Sequence, residues 1–172
     1  VGTGTMFHWK DKYYFAYGFH TSRNIPDEHL YGRDIYEQYK ENGYTKAVSY
    51  DEIYKAGKYP NGANLAVSDD GIHFKMMDKM FHWEENPSVY SFDNESLMMC
   101  IGNGIWNADS PIGEWKLTNP GFPPCGDRSS MRNSSECPSF FSKNGYNYII
   151  MGLTGFWRTE KDGETYIECA AE

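Results

Sequence analysis

At 172 residues, with a formal net charge of −8 and no run of Lys or Arg, the chain is long enough for one domain with a core. That charge makes nucleic acid or an anionic membrane a poor partner. Aromatic residues make up 17 % of it (14 Tyr, 10 Phe, 5 Trp) beside 17 Gly and 8 Pro, which favours short strands and many turns over a helical bundle.

Neutral ligands such as sugars stay open, and exposed Trp and Tyr suit stacking on their rings. No apolar run reaches the roughly 20 residues needed to span a bilayer. A start at Val1, inside what reads as folded sequence and with no signal peptide, leads us to expect a processed chain or an excised fragment. Secreted, periplasmic and cytoplasmic locations all remain open, and oligomeric state is not readable. Cys100, Cys125, Cys137 and Cys169 form no C-x-x-C pair, so buried free thiols are expected rather than zinc. No cofactor motif is present: there is no Gly-rich phosphate loop and no His-Glu-x-x-His.

In chain order, residues 1–9 and Tyr13–Gly18 read as a hairpin of aromatic strands around the turn Lys10-Asp11-Lys12. Residues 24–61 break the rhythm. A helix is expected from Ile25-Pro26-Asp27-Glu28 to the stop at Asn42-Gly43, and a second from about Tyr50 to Ala56, opened by the capping box Ser49-x-x-Glu52. This stretch reads as an insertion over a sheet scaffold, a solvated decoration more than a lid.

The rhythm returns with Asn64–Val67, the turn Ser68-Asp69-Asp70-Gly71 and a return strand Ile72–Met76. Hairpins follow at Pro87–Phe92 with Ser96–Ile101, and at Gly104–Asn107 with Glu114–Leu117. After a loop from Asn119 to Arg132 come Pro138–Ser142 with Tyr146–Met151, around Lys143-Asn144-Gly145, and then Phe156–Thr159 with Glu164–Cys169. The hairpins pair into an internal repeat of four strands: Thr5 to about Met77, Pro87 to Leu117, and Pro138 to Cys169. Four-strand antiparallel units with turn-rich connections are the mark of β-propeller blades. The expected fold is therefore all-β, one partial propeller domain over 1–172, with the helical insertion at 24–61 inside the first blade.

The repeat also places candidate chemistry. Aligned on their prolines, Glu85-Asn86-Pro87-Ser88 overlies Glu136-Cys137-Pro138-Ser139, with the two glutamates 51 positions apart (85 and 136). In a propeller the residues ahead of each innermost strand converge on one mouth of the axial funnel. Two carboxylates facing one cavity can divide the work of glycoside cleavage: one protonated to assist the leaving oxygen, the other ionised as nucleophile, base or stabiliser. The plainer alternative is two solvated glutamates at turn corners, and the repeat alone does not choose. The matching stretch of the first unit, Gly2-Thr3-Gly4-Thr5, has no carboxylate.

Four motifs carry a resemblance. They are Val1-Gly2-Thr3-Gly4 before an aromatic hairpin, Ser68-Asp69-Asp70-Gly71-Ile72-His73-Phe74, Ala108-Asp109-Ser110-Pro111-Ile112-Gly113-Glu114-Trp115, and Glu136-Cys137-Pro138. In their order and spacing they resemble the five-bladed propeller glycosidases of glycoside hydrolase families 32 and 43. The resemblance implies an oligo- or polysaccharide substrate attacked at its non-reducing end, and it points to Glu136 as the acid/base glutamate. It implies that the Asp-Ser-Pro turn is scaffold. Where family 32 has Arg-Asp-Pro, this chain has Glu85-Asn86-Pro87, and an amide cannot supply the negative charge. The aspartate motif of the first blade is absent, so the resemblance implies a nucleophile or base ahead of Val1, and this piece alone is expected to lack activity.

Around this pair, Asp127, Arg128 and Arg132 precede Glu136 and are candidates for rimming the funnel. His20 and Asn86 are candidate sugar ligands. Trp106, Trp115 and Trp157 read as packing residues, and Cys137 as a packed, unreactive thiol. A non-catalytic glycan-binding propeller is the second reading. A sialidase-like propeller is a third, weakened because the Ser68–Phe74 stretch is one residue short of the sialidase box.

Overall fold

The computed structural model describes residues 4–19, 24–92, 94–102, 104–120, 134–154, 156–161 and 164–169, with side chains excluded at 134–136 and from 151 onward. Among these residues the chain is dominated by β-strands, with two short helices.

The first sheet is a meander. β1 (Gly4–Trp9) and β2 (Lys12–Phe19) pair around the turn at Lys10. β2 then pairs with β5 (Gly62–Ser68), and β5 with β6 (Lys75–His82). The second sheet repeats the pattern with β7 (Ser88–Phe92), β8 (Ser96–Ile101), β9 (Gly104–Ala108) and β10 (Glu114–Pro120), each paired antiparallel with the next. β11 (Ser134–Lys143) pairs with β12 (Tyr146–Thr154), and β13 (Phe156–Lys161) with β14 (Glu164–Cys169). These last four form two separate two-stranded sheets rather than the single four-stranded unit expected. No sheet closes on itself among the described residues.

One core is shared by the first two sheets. Phe7, Trp9, Leu65 and Phe81 of the first pack with Leu97, Met99, Trp106 and Trp115 of the second. Along β1 the buried positions alternate, as one-sided burial of a pleated strand requires, whereas β8 is buried continuously from Met99 to Ile101. Trp115 is fully buried, and its indole N–H donates to the Pro111 carbonyl at 3.2 Å. The Asp-Ser-Pro-x-Gly-x-Trp turn thus ties a hairpin loop to the core. Of the other two tryptophans read as packing, Trp106 is buried in this core, and the side chain of Trp157 lies outside the described residues.

The helix expected from Ile25 begins only at Gly32, and two strand starts also differ from expectation, for local reasons. The strand after the Ser68–Gly71 turn starts at Lys75, not Ile72. The Asp70 carboxylate accepts from the backbone N–H groups of Ile72 and His73 at 2.9 and 2.8 Å and from the Ser68 hydroxyl at 2.9 Å, and so holds the chain in a turn past Gly71. β11 starts at Ser134 rather than at Pro138. It passes through the proline at an irregularity between Glu136 and Ser139, where a missing N–H is tolerated.

The insertion at 24–61 is not a solvated decoration. After a short 3-10 turn at Asp27–His29 comes α1 (Gly32–Asn42), which ends on Gly43 at φ +78°. β3 (Tyr44–Lys46) joins the outer edge of the second sheet along β10, whereas β4 (Val48–Ser49) joins the outer edge of the first along β6. Ala47 alone separates them. α2 (Tyr50–Lys55) carries the expected capping box: the Ser49 oxygen accepts from the Glu52 N–H, and the Glu52 carboxylate accepts from the Ser49 N–H. Ile35 of α1 and Ile53 of α2 are buried with Met80 in a second core cluster. No helix among the described residues is long and apolar enough to cross a membrane.

Candidate functional site

β1, β7 and β11 begin three successive hairpin series, and they lie beside one another. The Thr5 hydroxyl accepts from the Val89 N–H at 2.8 Å and donates to the Pro87 carbonyl at 3.5 Å. Farther along, the Lys10 N–H donates to the Asn94 side chain at 3.1 Å. Thr5 to Val89 and Lys10 to Asn94 are both separations of 84 residues, so β1 and β7 run in the same direction. Across the next junction, the Tyr90 and Ser142 hydroxyls are 2.8 Å apart, 52 positions along the chain, and the Tyr90 ring stands 6.0 Å from that of Phe140. These contacts bracket the 51-position offset between Glu85 and Glu136. The strands enclose a cleft of about 650 Å³ lined by Thr5, Phe7, Ser88, Tyr90, Ser139 and Phe140.

Both glutamates stand two positions ahead of a proline, Glu85 in a link and Glu136 inside β11. Glu85 and Asn86 occupy the link between β6 and β7, half-buried, just ahead of the buried Pro87. Asn86 has φ +57°, and Cys137, its counterpart before Pro138, has φ +52°. A proline normally drives its predecessor into extended backbone, so two left-handed residues at this place are a shared and costly feature. They redirect the backbone directly after each glutamate. Gly18, near the end of β2, makes room for the first turn: a Cβ there would stand 3.1 Å from the Asn86 nitrogen and 3.3 Å from the Glu85 Cβ. Glu136 pairs by its backbone with Gly152, immediately ahead of the β11 irregularity, and its side chain lies outside the described residues.

Of the other sequence candidates, His20, Asp127, Arg128 and Arg132 also lie outside the described residues. Cys137 corrects one expectation: it is exposed rather than packed. A left-handed residue at a bulge re-aims its side chain, which accounts for that. Cys100 is a buried free thiol, and burial pushes it up to about 11. Among the described residues no group of three or more His, Cys, Asp or Glu could hold a metal ion.

A second cavity, of about 740 Å³, was not foreseen. It opens between α1 and the sheets, with Tyr36, Tyr39, Trp83 and Trp106 in its walls and His82 and Glu84 beside them. The adjacent residues Trp83-Glu84 just before Glu85 were the available signal, but the other walls come from distant segments.

No protein-family profile matches the chain, and no curated protein matches it in sequence. Among solved structures, a Bombyx mori GH32 β-fructofuranosidase, BmSUC1, is similar at 15 % identity and a TM-score of 0.40. The match covers 97 % of this chain and 46 % of that one, so the chain spans about half its length. At that score the likeness bears on neither fold nor chemistry, and the reading rests on the geometry above.

Proposed function

We propose that the chain supplies three blades of a five-bladed propeller glycoside hydrolase. Glu136 acts as general acid/base on a non-reducing-end sugar, and Glu85 faces the same mouth as its partner carboxylate. The observation that carries this reading is the agreement of two offsets. The sequence repeat sets Glu85 over Glu136, and β7 and β11 touch at offsets of 52 and 50 positions that bracket it, with a left-handed residue directly before Pro87 and before Pro138. Two carboxylates at one mouth meet the minimal requirement for glycoside cleavage, an acid for the leaving oxygen and a charge opposite it. In this reading Asn86, His20, Asp127, Arg128 and Arg132 contact sugar hydroxyls around the mouth.

The experiment is Glu136→Gln in the full-length protein. Turnover of an aryl glycoside is expected to fall by about 10²–10⁴-fold, the usual worth of a positioned acid/base, while sugar binding stays near wild type. Wild-type turnover in that variant excludes Glu136 as the acid.

A second reading, a glycan-binding propeller without catalysis, is favoured by one specific residue. Asn86 puts a neutral amide ahead of Pro87, where the resemblance calls for an aspartate. The two readings separate on wild-type protein: binding of oligosaccharide with no release of reducing sugar supports the second.

A further inference from the structure

We infer that the cavity between α1 and the sheets binds the ring of a neutral sugar, with its apolar face on the aromatic wall and its hydroxyls on Glu84, Asp27 and Arg33. The cavity's volume, about 740 Å³, falls within the roughly 300–1,000 Å³ of small-molecule sites. Its wall is a continuous aromatic cluster. The Trp83 ring stands 5.0 Å from Tyr36, 5.3 Å from Tyr39 and 5.5 Å from Trp106, centroid to centroid. Tyr36 remains 41 % exposed, so part of this wall meets solvent.

The polar side of the cavity is held in place. The Glu84 carboxylate accepts from the Trp83 indole N–H at 3.1 Å, and the Glu84 backbone N–H donates to His82 Nδ1 at 3.0 Å. His82 in turn stacks on Trp83 at 4.1 Å. Because Nδ1 accepts, the neutral ring carries its proton on Nε2, a buried donor with no partner among the described residues. Gly102 closes against Glu84, where a Cβ would stand 3.2 Å from its Cγ. Glu84 is therefore presented in one orientation on a fixed aromatic plate.

The chemistry of the rim selects among ligands. Arg33 is outnumbered by Asp27 and Glu84, so an anion would face two carboxylates. The Lys40 ammonium already sits 5.0 Å over the Tyr36 ring, so a ligand cation would compete with the chain's own. A purely apolar ligand would strip water from three charged groups and return no hydrogen bond. A neutral polyol with one apolar face satisfies all of them: carboxylates accept from adjacent hydroxyls, the guanidinium donates, and the C–H face packs on the rings. The inference stands on this cavity alone and does not depend on hydrolysis at Glu136.

The test is titration of the full-length protein with sucrose, xylobiose and cellobiose, and separately with tetramethylammonium and inorganic phosphate. Tryptophan fluorescence and the indole N–H resonances of Trp83 and Trp106 report on the site. At least one sugar is expected to perturb both indoles. Tyr36→Ala and Glu84→Gln, both at exposed positions, should each weaken that response about tenfold, and Ile72→Ala on the far surface should leave it unchanged. Repeating the titration in Glu136→Gln separates this site from the proposed acid/base, because turnover falls there while the indole response persists. The inference is overturned if no sugar moves these indoles, if tetramethylammonium or phosphate does so instead, or if the response survives both Tyr36→Ala and Glu84→Gln.

Discussion

Burial pushes the His82 imidazole down to about 3, because its charged form would sit among aromatic rings with no water. In the unfolded chain a histidine titrates near 6.5. Between those values the unfolded state holds a proton that the folded state refuses, so stability falls as pH drops through that window, by up to about 1.4 kcal/mol per pH unit. Asp70 acts lower. Its carboxyl is held well below the usual range, first by the His73 side chain and then by backbone N–H groups, so it matters only as pH falls past the ordinary carboxylate range. The urea midpoint should therefore decline from about pH 6.5 toward about pH 4, and the decline should flatten in His82→Gln. A flat wild-type profile would show that the ring is not buried neutral. None of this was legible beforehand. His82 is a histidine at the end of an apolar strand, and its burial comes from Trp83 and Trp106 closing over it. The left-handed Asn86 was hidden too, since the proline after it argues for extended backbone.

At the scale of elements, the hairpins were readable because their turns are chemically marked. Lys143-Asn144-Gly145 and Asn94-Glu95 lie between strands, and Asn94, Asn144 and Gly145 all adopt positive φ. The capping box at Ser49 and the stop at Gly43 were readable for the same reason. What sequence could not reveal is the work of the insertion. Strands of three and two residues, Tyr44–Lys46 and Val48–Ser49, show no periodicity, and only the partner edges of β10 and β6 define them. Because Ile53 is fully buried against Ile35 and Met80, the insertion contributes to the stability of the whole. Ile53→Ala should cost about 2–5 kcal/mol by denaturant titration, as a cavity in a packed cluster does. A change near zero would mean that α2 rests loosely on the sheet.

Across the whole molecule, the sequence repeat anticipated the hairpin neighbours of the first two sheets, but neither the split of the last four strands nor how the sheets are joined. Among the described residues, Thr5 supplies two side-chain hydrogen bonds that join β1 to the chain at Pro87 and Val89. Thr5→Val keeps the shape and removes the acceptor, leaving the part-buried Val89 N–H unsatisfied. The expected loss is about 1–3 kcal/mol, with faster hydrogen exchange at Val89. Unchanged exchange there would show that β1 and β7 are held by packing alone. The candidate mouth was legible in part, since the repeated Glu-x-Pro triplets are visible in the primary structure. The cavity beside α1 was not, because its walls come from segments near 33, 61, 83, 102 and 117 that only the folded chain assembles.

Ala47 gives the architecture a mechanical property. Lys46 is hydrogen-bonded into one sheet and Ser49 into the other, and an extended chain reaches only about 3.3–3.6 Å per residue. The outer edges of the two sheets are thus tethered by a leash too short to pay out. Sliding or parting at that edge would require one of the short strands to peel away first. With the Thr5 and Lys10 bonds to the β7 side on the opposite edge, the two sheets are thereby fastened to each other at both margins.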